Sequence, residues 1–173
     1  MTTVLIIISP EQFSEKELFT IKAELENAGY KIVVASISTG VCTGSQQRTI
    51  IATHSLSDIQ TDDYDGVVYI GGRGAKSLFM NDNALRIAAE MSHANKITAA
   101  ICLAPIILAN AGLLKNRRAT VAKTEERTLR SKNAIYTGPG VMVESNIITC
   151  SSPSYSKKLA KAIIVQLGNI EFE

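Results

Sequence analysis

Short, almost unbroken apolar runs alternate along this chain with longer stretches in which apolar residues recur every three or four positions. Val4–Ser9 is such a run; Leu18, Ile21, Leu25 and Ala28 follow at helical spacing until Gly29 stops them, and Lys31–Ile37 is a second run. That is the pattern of a βαβ unit. It recurs further on, where Gly66–Ile70 predicts a strand, Asn83–His93 a helix, Ile97–Ile101 a strand and Pro105–Ala111 a helix ended by Gly112. The strand runs are apolar throughout rather than at every second residue, so both faces must be covered. A mostly parallel sheet between two helix layers satisfies that demand, which makes the expected fold class α/β with three layers.

Ala119–Val121, Val141–Glu144 and Ile147–Cys150 read as shorter strands, the last two forming a small β-hairpin across Ser145 and Asn146. A final helix is expected from about Ser154 to Leu167, and residues 39–56 fit either a hairpin or an extended arm. No repeat, low-complexity tract or Pro-, Gly- or Ser-rich linker divides the chain, so residues 1–173 are read as one domain.

Charge adds little to this picture. The 18 basic and 16 acidic residues are spread out and leave a net charge of +2, which argues against a nucleic-acid partner. The basic cluster Lys115-Asn116-Arg117-Arg118 fits a solvated loop after a helix. Val4-Leu5-Ile6-Ile7-Ile8 has no basic lead-in and is far too short for a signal segment or a membrane span. Three cysteines at wide spacings make neither a disulfide framework nor a metal-binding C-x-x-C pair, so a cytoplasmic, reducing setting is expected and no cofactor or metal is called for.

In open α/β sheets the reactive groups gather beyond the carboxyl ends of the strands. Cys102 stands there, directly after the strand Ile97–Ile101 and three residues before Pro105 opens a helix. At such a turn the amides of Leu103 and Ala104 should point at the sulfur and favour thiolate, with a pKa well below the usual value of about 8.5. Glu17, one residue before the core-facing Leu18, can face the sheet edge and share a proton with Cys102. If the amides hold the charge on sulfur, Glu17 is the protonated partner; otherwise it is a ready base. Acids in a first helical turn also occur simply because they complement the helix dipole.

Gly71 and Gly72 end the strand Gly66–Ile70. The following Arg73-Gly74-Ala75-Lys76-Ser77 lacks the glycine spacing of a phosphate-binding loop. The glycine pair fits either a plain tight turn or a close backbone approach that lets the amides of Gly72 and Leu103 form an oxyanion hole. His54 and His93 fall outside these loops, and Cys42 and Cys150 are most simply small semi-buried hydrophobes.

Ala99-Ala100-Ile101-Cys102 followed by Pro105, the strand-ending Gly71-Gly72, and Phe13-x-x-x-Glu17 after the first strand resemble the PfpI/ThiJ superfamily in order and spacing over nearly the whole chain. The resemblance implies a flavodoxin-like sandwich, a homodimer or higher homo-oligomer, Cys102 on a nucleophile elbow, Glu17 at its sulfur, and Gly71, Gly72 and Leu103 around the substrate oxygen. The departures weigh on activity. Leu103 stands where protease-like members, and many glyoxalase-like ones, carry histidine, Val121-Ala122-Lys123-Thr124 lacks the histidine that other members bring from that loop, and Cys150-Ser151-Ser152-Pro153 lacks an arginine common near the last strand. Ser14 replaces a second acid of the first-strand loop.

A peptidase needs a general acid for the leaving amine, which the family's histidine supplies elsewhere, so that reading ranks last. The leading reading is glyoxalase- or deglycase-like chemistry on a small aldehyde or glycated substrate, with Cys102 as nucleophile and Glu17 as proton shuttle. Its rival is a redox-sensing or stress-protective member whose Cys102 is oxidised. A third is a silent member whose Leu103 fills the pocket.

Overall fold

A computed structural model describes residues 1–171. In chain order the strands are β1 (Thr3–Ile7), β2 (Glu11–Phe13), β3 (Lys31–Ser36), β4 (Gly40–Gly44), β5 (Thr49–Ala52), β6 (His54–Ser55), β7 (Gly66–Tyr69), β8 (Ile97–Ile101), β9 (Arg118–Ala119), β10 (Ile135–Tyr136), β11 (Val141–Glu144) and β12 (Ile147–Cys150). The helices are α1 (Glu15–Asn27), α2 (Asp82–His93), α3 (Pro105–Asn110), α4 (Glu126–Ser131) and α5 (Ser156–Glu171).

Seven strands form one sheet in the order β11-β12-β8-β7-β1-β3-β6, parallel except for the hairpin strand β11. The five-strand centre β3-β1-β7-β8-β12 has the flavodoxin-like order, as expected. Successive residues of β1 show why its run is apolar throughout. Leu5 and Ile7 pack with residues of α2 and α3 on one face, while Val4 and Ile6 pack with α1 and α5 on the other. All four are fully buried, and each contributes about 1.5–3 kcal/mol relative to an exposed position. No described helix is long and apolar enough to cross a membrane.

The structure differs from the sequence pattern in several details, among them α4 and β10, which no run or spacing announced. The uncertain 39–56 segment is the β4–β5 hairpin plus the edge strand β6, which lies parallel to β3. The acid-rich loop before α1 contains β2, a three-residue strand parallel to β4 and too short to show a period. The strand expected at Ala119–Val121 ends at Ala119. Beyond it the Thr120 amide is taken by Thr149 Oγ1 (2.9 Å) and the Ala122 amide by the Cys102 carbonyl (2.8 Å), so residues 120–122 are held by these bonds instead of a ladder. The last helix starts at Ser156 rather than Ser154, because Pro153–Tyr155 form a tight turn to which the Ser156 hydroxyl bonds back.

Candidate active site

β1 leads outward to β3 on one side, whereas the chain then crosses to β7 on the other, so the loops after β1 and β7 part at the carboxyl edge and leave a crevice. The glycine pair closes the bottom of that crevice. The Ser14 amide bonds the Gly71 carbonyl at 3.0 Å, and a Cβ on Gly72 would lie 2.6 Å from both the Gln12 carbonyl and the Ser14 nitrogen. Gly72 also has a φ of +101°, the region only glycine enters at no cost. A Cβ on Gly71 would lie 2.6 Å from the Ile101 carbonyl and 2.7 Å from Cys102 Cβ. Three backbone segments therefore meet with no room for side chains, and this contact brings the first turn of α1 against the end of β8.

Ser14 caps α1, its Oγ accepting the Glu17 amide at 3.4 Å, and the cap aims Glu17 inward. Glu17 is fully buried. Its Oε1 accepts the Gly71 amide at 2.8 Å, while Oε2 has no full hydrogen bond; the Ser14 hydroxyl and the Cys102 sulfur are the other polar groups that act on the carboxyl.

Cys102 sits on the elbow with φ +64°, a left-handed conformation that costs a non-glycine residue on the order of 1–3 kcal/mol. The fold holds it there from both sides, since its amide donates to the Cys150 carbonyl at 2.8 Å and its carbonyl accepts the Ala122 amide at 2.8 Å. The amides of Gly72 and Leu103 favour an ionised sulfur, but that of Ala104 donates to the Ile101 carbonyl at 3.1 Å and is lost to the sulfur. The Gly71 amide, expected at a substrate oxygen, is likewise spent on Glu17. The amides left acting on the sulfur are those of Gly72 and Leu103.

Burial pushes both reactive groups up, Glu17 to about 7 and Cys102, with the Glu17 charge behind it, to about 11. The separate low-pKa thiolate expected from the elbow alone is thus replaced by a coupled pair. It gives up one proton near neutrality and keeps the other into strongly alkaline solution, and those two steps belong to the pair rather than to either residue. Cys150 and Cys42 are both buried, with thiols raised by burial, that of Cys150 to about 12. His54 lies on the edge strand β6 and His93 at the end of α2, both remote from the crevice.

The profile of the DJ-1/PfpI family matches residues 2–166. The chain belongs to the DJ-1/PfpI family. Among its relatives, a protein of Methanocaldococcus jannaschii is 38% identical over 157 residues, covering 89% of this chain and 77% of the other. A protein of Pyrococcus abyssi named a deglycase is 30% identical over 148 residues, covering 86% and 89% respectively. The crystal structure of a ThiJ/PfpI domain protein from Brachyspira murdochii superposes with a TM-score of 0.94 at 29% identity, over 96% of each chain.

Sequence reasoning passed over two features of this DJ-1/PfpI site. The backbone groups of Ala122 and Cys150 that fix the elbow carry no side-chain signal at all. Ser14-x-x-Glu17, by contrast, is a helix-start motif visible in the sequence, and it marks Ser14 as the cap that fixes the first turn in which Glu17 stands.

Proposed function

We propose that this chain is a cysteine-dependent enzyme of the glyoxalase or deglycase type, acting on small α-oxoaldehydes or the adducts they form. The observation that carries the reading is Glu17 Oε2, buried beside Cys102 without a full hydrogen bond. An ionised carboxylate in that position leaves an oxygen poorly satisfied, whereas a protonated one has an O–H to donate to the sulfur. On this reading the singly ionised pair carries its charge on sulfur, where the Gly72 and Leu103 amides favour it against the burial and the Glu17 charge that push the thiol up.

Sulfur adds to the aldehyde carbon of a substrate such as methylglyoxal, and Glu17 gives its proton to the oxygen that forms. The resulting carboxylate takes the hydrogen from that carbon as a proton and returns it to the adjacent carbonyl carbon, while the hydroxyl proton passes from the first oxygen to the second, so that the hemithioacetal becomes the thioester of a 2-hydroxy acid and Glu17 is again a carboxylate. Water then releases the hydroxy acid and the thiolate. Each step uses one proton site whose affinity lies close to neutral pH, where a group both gives and accepts protons efficiently. The deglycase name of the Pyrococcus abyssi relative supports the substrate class. No histidine stands in the crevice, so turnover is slow. Lactate formation from methylglyoxal by the wild type and its loss in Cys102→Ala is the expected result; a Cys102→Ala protein as fast as wild type contradicts the reading.

A further inference from the structure

A second cavity, of about 280 Å3, lies next to the elbow, with Val121, Lys123, Tyr136, Ser151, Ser152 and Tyr155 among its lining residues. It is joined to Cys102 by the chain itself. The Ala122 amide bonds the Cys102 carbonyl and the Cys150 carbonyl takes the Cys102 amide, so Val121 and Ser151 are each one residue from an anchor of the nucleophile.

Hydroxyl and ammonium donors line this cavity. Ser151 is nine-tenths buried and its Oγ accepts the Gly140 amide at 2.9 Å, yet its own hydrogen has no acceptor among the described residues. The phenol hydroxyls of Tyr136 and Tyr155 make no hydrogen bond, and the Lys123 ammonium no ion pair, among those residues. Each ring also carries a cation over its face, Arg130 at 5.2 Å from the Tyr136 centroid and Lys158 at 5.5 Å from that of Tyr155, which adds positive charge beside the cavity. No carboxylate among the described residues lines the space. A cavity lined by the buried Ser151 hydroxyl, two half-exposed phenols and the exposed Lys123 ammonium, none of them donating to another described residue, favours a ligand group made of negatively charged oxygens.

We infer that this cavity is an oxyanion subsite, holding a carboxylate or phosphate group of the carbonyl compound whose reactive carbon meets Cys102. The substrate half of the inference rests on the function proposed above; the anion site does not. It also accounts for the loss of the arginine from Cys150-Ser151-Ser152-Pro153, since Lys123, from the neighbouring loop, supplies the positive charge instead.

The test is calorimetric titration of the wild-type protein with inorganic phosphate and, separately, acetate, which tells the two anion classes apart. It is repeated on Lys123→Gln, Ser151→Ala and the remote control Lys115→Gln. Lys123→Gln is expected to weaken the preferred anion about tenfold, the loss of one charge-assisted hydrogen bond, with a smaller loss for Ser151→Ala and none for the control. In parallel, kcat/KM is measured for methylglyoxal and for dioxovalerate, the same α-oxoaldehyde extended by a carboxylate-bearing chain. The wild type should prefer dioxovalerate about tenfold, and Lys123→Gln should narrow that ratio. Methylglyoxal turnover with neither anion bound overturns the subsite and leaves the proposed function standing. Lys123-dependent anion binding with neither aldehyde converted supports the subsite and removes the proposed function.

Discussion

Two glutamates in the first turn of α1, Glu15 and Glu17, are both buried, and their surroundings give them opposite properties. Glu15 turns toward the β4–β5 hairpin, where it accepts the Gln46 amide at 2.7 Å, the Arg48 amide at 3.2 Å and the Ser45 hydroxyl at 3.0 Å. Burial alone would raise its pKa, but the Arg48 and Gln46 amides outweigh it and hold the carboxyl below its ordinary range. Glu17 has one full hydrogen bond, from Gly71, and its burial wins. A carboxylate surrounded by donors becomes a permanent clamp, whereas one deprived of them becomes a group that moves protons near neutrality. The hairpin is held by the first kind. The second kind lies beside Cys102.

The largest test of this contrast is Glu17→Gln, which keeps the shape and removes the titrating proton. Activity on methylglyoxal should fall about a hundredfold or more, the usual worth of a positioned acid–base group. Stability should move the other way at alkaline pH. Because the folded Glu17–Cys102 pair keeps both its protons up to about 7 while Glu17 in the unfolded chain releases its own at 4.5, the native state binds more protons in that interval. Its stabilising effect is complete below 4.5 and is lost as pH rises through 7, about 3 kcal/mol in all. Urea midpoints should show this decline for the wild type and not for Glu17→Gln.

Glu15→Ala should do the reverse. It strands the Gln46 and Arg48 amides and costs about 2 kcal/mol, seen as a melting point lower by several degrees. The cost is largest above pH 4.5 and fades as pH falls through the depressed native pKa, while Cys102 alkylation at pH 7 stays unchanged. A change in Cys102 reactivity would mean that the two carboxylates are coupled. Ser45→Ala is the mildest test. It removes one partly exposed hydrogen bond to Glu15, costs about 1 kcal/mol or less, and leaves the other two in place.

The βαβ rhythm was legible because burial on both faces imposes continuous apolar strands such as Val4–Ile7, and the 145–146 hairpin was legible from its turn. Cys102 stood out because a reactive side chain followed a buried strand and preceded a helix-opening proline. The proton balance of the site was not legible, since it depends on which amides reach which atoms. Ala104 looks as available as Leu103 in the sequence, and only the closing hydrogen bond to Ile101 removes it. Gly71 and Gly72 were readable as a glycine pair, but their purpose, letting residues 12–14 and 101–102 touch one turn, exists only between segments distant in the chain. Elements of two or three residues, β2, β6, β9 and β10, are shorter than any period that could announce them.

The central claim is that Glu17 and Cys102 act as one acid, with the charge on sulfur once the first proton has gone. The most direct measurement is the rate of iodoacetamide alkylation of Cys102 in the wild type, followed by intact mass across the pH range. The account predicts a rate that climbs through an apparent pKa of about 7 and reaches a plateau in mildly alkaline solution. A thiol that stays inert at neutral pH and reacts only as pH approaches about 11 would place the charge on Glu17 and contradict it.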